Sequence, residues 1–180
     1  MMLRRPLADG AVMLNALDAS AAEGPYLGWM HDAEIGRFLE SRFSSHSVES
    51  LARFIRASNA APNILLAGII LDGCHVGNIK LTLDHHHRRA EIGIVVGDRE
   101  VWGRGVARTA IRLVSAHAFD ELSMSKLSAG CYADNIGSIR AFEAAGFHRE
   151  AVRPGHYICD GRRVDGVYLA RFIAGHEGQA

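Results

Sequence analysis

Trp102-Gly103-Arg104-Gly105-Val106-Ala107 is the stretch on which the fold of this chain turns. It separates a run rich in Ile and Val, ending at Val96, from a long amphipathic segment. In that segment Val106, Ala110, Leu113, Val114 and Phe119 keep helical spacing, which predicts a helix from about Gly105 to Leu122. Two glycines allow a tight backbone turn with no Cβ in the way. The first-turn amides of the helix then point outward together, and the helix dipole adds positive potential. A phosphate or pyrophosphate suits such a turn. A glycine turn before a helix is also ordinary structure, so the pattern alone does not choose. No Gly-Lys-Ser/Thr follows, which excludes the phosphate loop of the ATPases. A dinucleotide fingerprint is not expected either, because a third glycine and a preceding parallel βαβ unit are not evident.

Working outward, three strands are expected upstream: Asn63 to Leu71, His75 to Leu83 and Arg89 to Val96. Asp72-Gly73 between the first two fits a tight hairpin turn. Before them, Val12 to Leu17 reads as a first strand. Asp18 to Glu40 reads as one or two helices begun by Asp18 or Ser20, and Ser47 to Arg56 as another helix. Downstream, Lys126 to Tyr132 is a strand and Ile136 to Ala145 a helix stopped by Gly146. His148 to Ile158 and Arg163 to Phe172 form a final hairpin turning at Asp160-Gly161. The expected fold is mixed α/β in one layered domain over residues 1–180, without repeats or a linker.

The totals agree. Net charge is zero, with 20 basic and 20 acidic side chains, so neither nucleic acid nor an anionic membrane is an expected partner. No apolar run is long enough for a membrane span, and the N-terminus does not read as a signal peptide. Three cysteines without a CxxC argue against a disulfide framework or a zinc ribbon. A cytoplasmic protein without a metal is expected.

A second constellation, Asn135, Ser138, Ile139, Phe142, Glu143, Gly146 and Phe147, follows the strand Lys126 to Tyr132. Asn135 suits a helix cap as well as a functional role, and Ile139, Phe142 and Phe147 suit a core. Together with the glycine turn, these residues resemble the GNAT acetyltransferases, over roughly residues 64 to 172. Ala90 to Val96 looks like the family's fourth strand and Trp102 to Ala107 like its pyrophosphate loop, with Trp102 where Arg or Gln is usual. Asn135 to Phe147 is similar to the family's Asn-x-x-Ala/Ser-Ile … Glu-x-x-Gly-Phe element. The Trp replacement, and more weakly Tyr26 to Asp32, resemble the subgroup of ribosomal-protein alanine acetyltransferases and bacterial nucleotide-amino-sugar acetyltransferases.

The resemblance implies the GNAT fold, a mostly antiparallel sheet with helices on both faces, and an enzyme moving acetyl from acetyl-CoA to a primary amine by direct transfer. The pantetheine would pair with Ile94, Val95 and Val96, an amide there facing the developing oxyanion. The pyrophosphate would lie on Trp102, Gly103, Arg104, Gly105, Val106 and Ala107, and Asn135 would face the pantetheine or thiol. Glu91 is the candidate base, although a solvated strand-edge charge accounts for it equally. Some members carry a glutamate on the fifth strand, where this chain has Gly130. Phe142 stands where a proton-donating tyrosine is usual, so Ser138 or Tyr132 becomes the candidate to assist the thiolate, unless it leaves unassisted. Cys131 suggests a covalent route, but no His/Asp pair activates it, and a buried packing role is the stronger reading. His85-His86-His87 with Arg88 and Arg89 could bind a metal or an anionic substrate, or be a polar turn. The expected acceptor is a nucleotide-linked amino sugar, which would want cations such as His85 to Arg89. The alternatives are a protein N-terminus, which needs an open groove between the first-helix loop and the last hairpin, or a non-catalytic acetyl-CoA sensor. Polyamines are disfavoured for want of an acidic cluster, and a homodimer is the family's frequent state.

Overall fold

The computed structural model describes residues 1–175; the remaining five expected domain residues lie outside them. Eight strands form one sheet in the order β1-β2-β3-β4-β5-β6-β8-β7. They are β1 (Leu7–Asp9), β2 (Val12–Ala16), β3 (Ile64–Leu71), β4 (Cys74–Asp84), β5 (Arg89–Val96), β6 (Lys126–Tyr132), β7 (His148–Cys159) and β8 (Arg162–Phe172). The expected strands are all present, and β1 adds an unexpected hairpin on β2. The turns between β3 and β4 and between β7 and β8 place Asp72-Gly73 and Asp160-Gly161 at positive φ, as hairpin turns of this type require.

The helices are α1 (Tyr26–His31), α2 (Ala33–Gly36), α3 (Val48–Ala60), α4 (Val106–Asp120) and α5 (Ile136–Ala144). The segment expected as one or two helices from Asp18 to Glu40 is broken into shorter pieces. Asp18 caps a 3-10 turn over Ala19–Glu23, and Pro25 opens α1. Asp32 then ends α1 and caps α2, its carboxylate accepting from the amides of Glu34 at 2.8 Å and Ile35 at 3.1 Å. A second 3-10 turn spans Glu40–Phe43. The helix expected at Ser47–Arg56 runs one turn longer, to Ala60, from a reciprocal Ser47–Ser50 capping box.

Every neighbouring pair of strands is antiparallel except β5 and β6. These two are parallel and joined through α4. The chain therefore contains the βαβ unit that the sequence did not reveal. Its second strand follows only after a 15-residue helix, so no local pattern signals the pairing. Alternate residues of the strands divide between two layers. Leu65, Ile69, Ile79, Leu81, Ile92 and Leu127 face α4 and α5 in the main core, whereas Leu66 and Val95 pack on the opposite face with Tyr26, Trp29, Leu51 and Ile55 of α1 and α3. Among the described residues no helix is long and apolar enough to cross a membrane.

Two close approaches lock the end of β5 into place. A Cβ on Gly77 would overlap the carbonyl oxygen of Val95, and one on Gly97 would overlap the Trp29 indole. The amides of Gly97 and Asp98 both donate to Val76 O, at 2.8 and 3.1 Å, and bend the chain away from β6. Gly77→Ala is expected to destabilise the protein by about 1–3 kcal/mol, because the obstacle is backbone and cannot rotate aside. Gly93, whose Cβ would meet nothing within 4 Å, should tolerate Ala without loss. Urea unfolding of the two variants measures the difference.

Candidate active site

The pairing of β5 with β6 covers only Arg89–Lys126, Ala90–Leu127 and Glu91–Ser128. Beyond Glu91 the strands part, and the edge of β5 from Ile92 to Val96 has no partner on the β6 side. Half of its amides and carbonyls face a V-shaped gap and are free to pair with an extended ligand. Ile94, Val95 and Val96, the expected pantetheine strand, all lie on this stretch.

At the wide end of the gap the turn ahead of α4 has the predicted form. Gly103 and Gly105 have φ of 75° and 81°, and Gly105 occupies the N-cap with no side-chain cap. Helical hydrogen bonding begins with Thr109 N donating to Gly105 O at 3.0 Å. Among the described residues, no acceptor meets the amides of Gly103, Gly105, Val106, Ala107 or Arg108. Five free donors on a helix N-terminus fit a pyrophosphate. Arg104 is exposed, and among the described residues neither it nor Arg108 pairs with a carboxylate. Trp102 closes the loop onto the strand, its Nε1 donating to Val96 O at 2.8 Å.

At the narrow end Glu91 is exposed on the face of β5 shared with Arg89, Gly93 and Val95. This is the face that α1 and α3 cover over β3 and the end of β5 but leave open over β6 and β8. Across the gap on the same face Tyr132 is buried and donates its hydroxyl to Glu40. Its ring stacks on Tyr157 with centroids 4.0 Å apart and 14° between planes. Burial and the nearby Glu40 carboxylate push the Tyr132 phenol up to about 12, so it stays protonated at neutral pH. Gly130 is filled over by its neighbours: a Cβ there would come within 3.3 Å of the Tyr168 ring and 3.4 Å of Tyr157 Oη. A side chain there would press on the Tyr168 ring, which would have to give by a few tenths of an ångström.

The opposite face of β6 carries the remaining candidates. Asn135 caps α5, its Oδ1 accepting from Ser138 N at 3.1 Å. Ser138 Oγ lies 3.4 Å from Cys131 Sγ. Burial raises the Cys131 thiol above its usual range, which disfavours the thiolate that covalent transfer would need. Phe142 is core, edge-on to Phe147 at 5.2 Å. Ser138 and Tyr132 therefore sit on opposite sides of β6, and the hydroxyl of Tyr132 is already committed to Glu40.

The His85–Arg89 stretch lies at the β4–β5 turn, at the end of β5 away from the widening gap. His87 N donates to Asp84 Oδ1 at 3.1 Å, Arg88 Nε to Ser123 O at 2.9 Å and Arg89 Nε to Asp84 Oδ2 at 3.1 Å. Among the described residues no group of His, Cys, Asp and Glu side chains could hold a metal. The stretch is a polar turn that binds itself. Sequence reasoning missed Glu40, Arg153, His156, Tyr157 and Tyr168. Alternation along the final hairpin could have placed Tyr168 on the face of Gly166, but nothing local tied that face to β6.

Residues 12–148 match the acetyltransferase (GNAT) domain family. The chain belongs to this family. It is similar to YjcK of Bacillus subtilis strain 168, an N-acetyltransferase by name, at 44% identity over 50 residues, 28% of each chain. It is also similar to YdaF of the same strain, provisionally named a ribosomal N-acetyltransferase, at 32% identity over 69% of this chain and 68% of that one. The ribosomal alpha-N-protein acetyltransferase RimL, solved in complex with coenzyme A, has the same fold, with a TM-score of 0.84 at 15% identity over 94% of this chain and 98% of RimL. The GNAT fold expected from the sequence is thus the observed one, with helices on both faces of a mostly antiparallel sheet. The domain is an acetyl-CoA-dependent N-acetyltransferase.

Two substitutions test the GNAT site. Gly105→Val forces a β-branched residue to φ near 81° and fills the turn, so acetyl-CoA binding measured by calorimetry should be lost. Retained affinity would refute the pyrophosphate assignment. Cys131→Ala should keep its turnover, because the thiol is buried and protonated; abolished turnover in a folded variant would restore the covalent route.

Proposed function

We propose that the protein acetylates the primary amine of a small polar acceptor, an amino sugar carried on a nucleotide, by direct transfer from acetyl-CoA. Acetyl-CoA supplies the activated acyl carbon; an amide bond forms and the carbon–sulfur bond breaks. The amine must be neutral to attack, and Glu91, exposed on the open face where β5 and β6 part, is the residue proposed to take its proton, directly or through water. Trp102 to Ala107 hold the pyrophosphate, Ile94 to Val96 the pantetheine, and Asn135 and Ser138 border the thiol side.

The observation that carries the acceptor class is a clasp between the first-helix loop and the last hairpin. Arg37 binds Asp160 through Nε at 3.0 Å and Nη2 at 2.7 Å, and Arg42 Nη2 donates to Ile158 O at 2.7 Å. Beneath them Phe38 packs on Tyr132, Cys159 and Val164, and Glu40 accepts from Tyr132. The exposed ion pair contributes little on its own, but the aromatic layer packed on buried Tyr132, Cys159 and Val164 holds the two segments together. A protein N-terminus needs that passage open, whereas a small acceptor reaches Glu91 past the half-buried Ser128 and the exposed Gly130 of β6. Of the acids bordering that surface, Glu40 is engaged by Tyr132 and Glu150 by Lys126, which disfavours polyamines. Transfer to a protein N-terminus is the second reading, favoured by the relation to YdaF.

Thiol release over a panel of nucleotide 4-amino sugars, N-terminal peptides and polyamines decides between them. The amino sugars should lead in kcat/KM by about tenfold or more, ~1.4 kcal/mol in transition-state binding. A lead for peptides would refute the small-acceptor reading. Acetyl-CoA binding without turnover of any amine would favour a sensor. Glu91→Gln should lower kcat by roughly 10²–10⁴-fold with acetyl-CoA affinity retained, and near-normal activity would remove Glu91 as the base.

A further inference from the structure

A cluster on the open face has no part in the roles assigned above. Gly130 and Gly166 lie on adjacent strands, Gly130 opposite Tyr168 and Gly166 opposite Tyr132. Neither has a positive φ, so what each provides is room. A Cβ on Gly166 would lie 3.1 Å from the Tyr157 ring, 3.2 Å from the Tyr168 ring and 3.3 Å from His156 Cβ. In that room Tyr168 Oη meets His156 Nε2 at 3.0 Å and accepts from Arg153 Nη1 at 3.2 Å. The Arg153 guanidinium also lies 4.1 Å from the centroid of the Tyr168 ring.

The electrostatics of this cluster are incomplete. Arg153 is always charged, yet among the described residues no carboxylate lies within 4.0 Å of it or of His156. The acids around it are committed elsewhere: Glu40 to Tyr132, Glu150 to Lys126, and Asp165 to Gly155 N at 2.8 Å. A neutral phenol fixes the guanidinium in place but cannot neutralise it. A fork of donors held over an aromatic floor, with its charge unmet, suits a carboxylate or phosphate oxygen.

We infer that Arg153, positioned by Tyr168 and flanked by His156, binds an anionic group of the acceptor while the acceptor's amine is presented at Glu91. This rests on the open face being the acceptor face, as proposed above. Spacing narrows the substrate class. Glu91 pairs with Ser128, Ser128 with Ala170, and Tyr168 lies one alternation further along β8. Two strand spacings across and two residues along separate Glu91 and Tyr168 by roughly 12 Å between Cα atoms. Side-chain reach from both ends shortens this, and a ring or a several-atom spacer between amine and anion bridges it without drawing Glu91 and Arg153 toward each other. The acceptor class that suits the separation is therefore one with such a spacer.

Matched pairs test this directly. One pair is a 4-amino sugar with an anomeric phosphate against its neutral methyl glycoside; the other is a linear ω-amino carboxylate against its amide. In the wild type at least one anionic member should exceed its neutral partner by about tenfold or more in kcat/KM, and which pair responds tells phosphate from carboxylate. Arg153→Gln should bring that ratio to within about twofold by raising KM rather than lowering kcat, and Arg153→Lys should restore part of it. Acetyl-CoA affinity and thermal midpoint, measured on the same preparations, should not move. A wild-type ratio near one, or a ratio that survives Arg153→Gln, overturns the inference. If no member of either pair turns over, calorimetric binding of the pairs to the CoA-saturated protein is the readout, and no anionic preference there overturns the subsite. Loss of acetyl-CoA binding itself would refute the cofactor assignment instead.

Discussion

The parallel pairing of β5 with β6 at only three positions, Arg89–Lys126, Ala90–Leu127 and Glu91–Ser128, is the constraint on which the rest of the molecule depends. Past Glu91 each strand is pulled toward its other neighbour. β5 stays in register with β4 as far as Val96–Gly77, where the missing Cβ of Gly77 lets the two backbones approach closely. β6 keeps its antiparallel ladder with β8 up to Tyr132–Gly166, and Ala133 N continues it to Asp165 O at 2.9 Å. A sheet held this way must open along β5. The opening leaves backbone donors and acceptors on the edge of β5 free to pair with an extended ligand.

The same alternation that opens the sheet sorts its chemistry by side. One face of β6 points Leu127, Ala129 and Cys131 into the core under α4 and α5, beside Ser138 and the Asn135 cap. The other face carries Ser128, Gly130 and Tyr132 toward the clasp and the aromatic cluster. The free amides ahead of α4 and the Asn135–Ser138 cap of α5 lie on one side, whereas Glu91, Tyr132, Tyr168 and Arg153 look the other way. Cofactor and acceptor would thus approach from opposite layers and meet only through the gap.

The parts legible in the sequence are those whose signal is local. Asp72-Gly73, Asp160-Gly161 and Gly146 announce their turns by residue type, and β6 is bounded to the residue at Lys126 and Tyr132. The turn at Gly103 and Gly105 is readable because paired glycines directly ahead of an apolar helical period mark where the backbone must turn into the helix. What escapes a local reading depends on distant partners. The parallel β5–β6 pairing is separated by α4, β1 is only three residues long, and Pro25 and Asp32 break what composition alone reads as continuous helix. The His85–Arg89 run shows the converse failure, since a cationic string in sequence becomes a turn bound to Asp84 and Ser123 O.

The acceptor side is the least legible for a physical reason. Its shape comes from residues that are missing as much as from those present. Gly130 alone reads as an absent glutamate, and Gly166 alone as a weak point in a strand. Only the β6–β8 register, which sets Gly130 against Tyr168 and Tyr132 against Gly166, turns two gaps into one socket. Tyr157, Tyr168 and His156 then fill it from above and bring Arg153 over β8 rather than out into solvent. On the proposed reading of the open face, acceptor choice would rest on cross-strand pairing over the last three strands, where β7 is an irregular edge with two register shifts. Such an edge can change its residues with little disturbance to the core beneath β5, so acceptor recognition can vary while the cofactor site is kept.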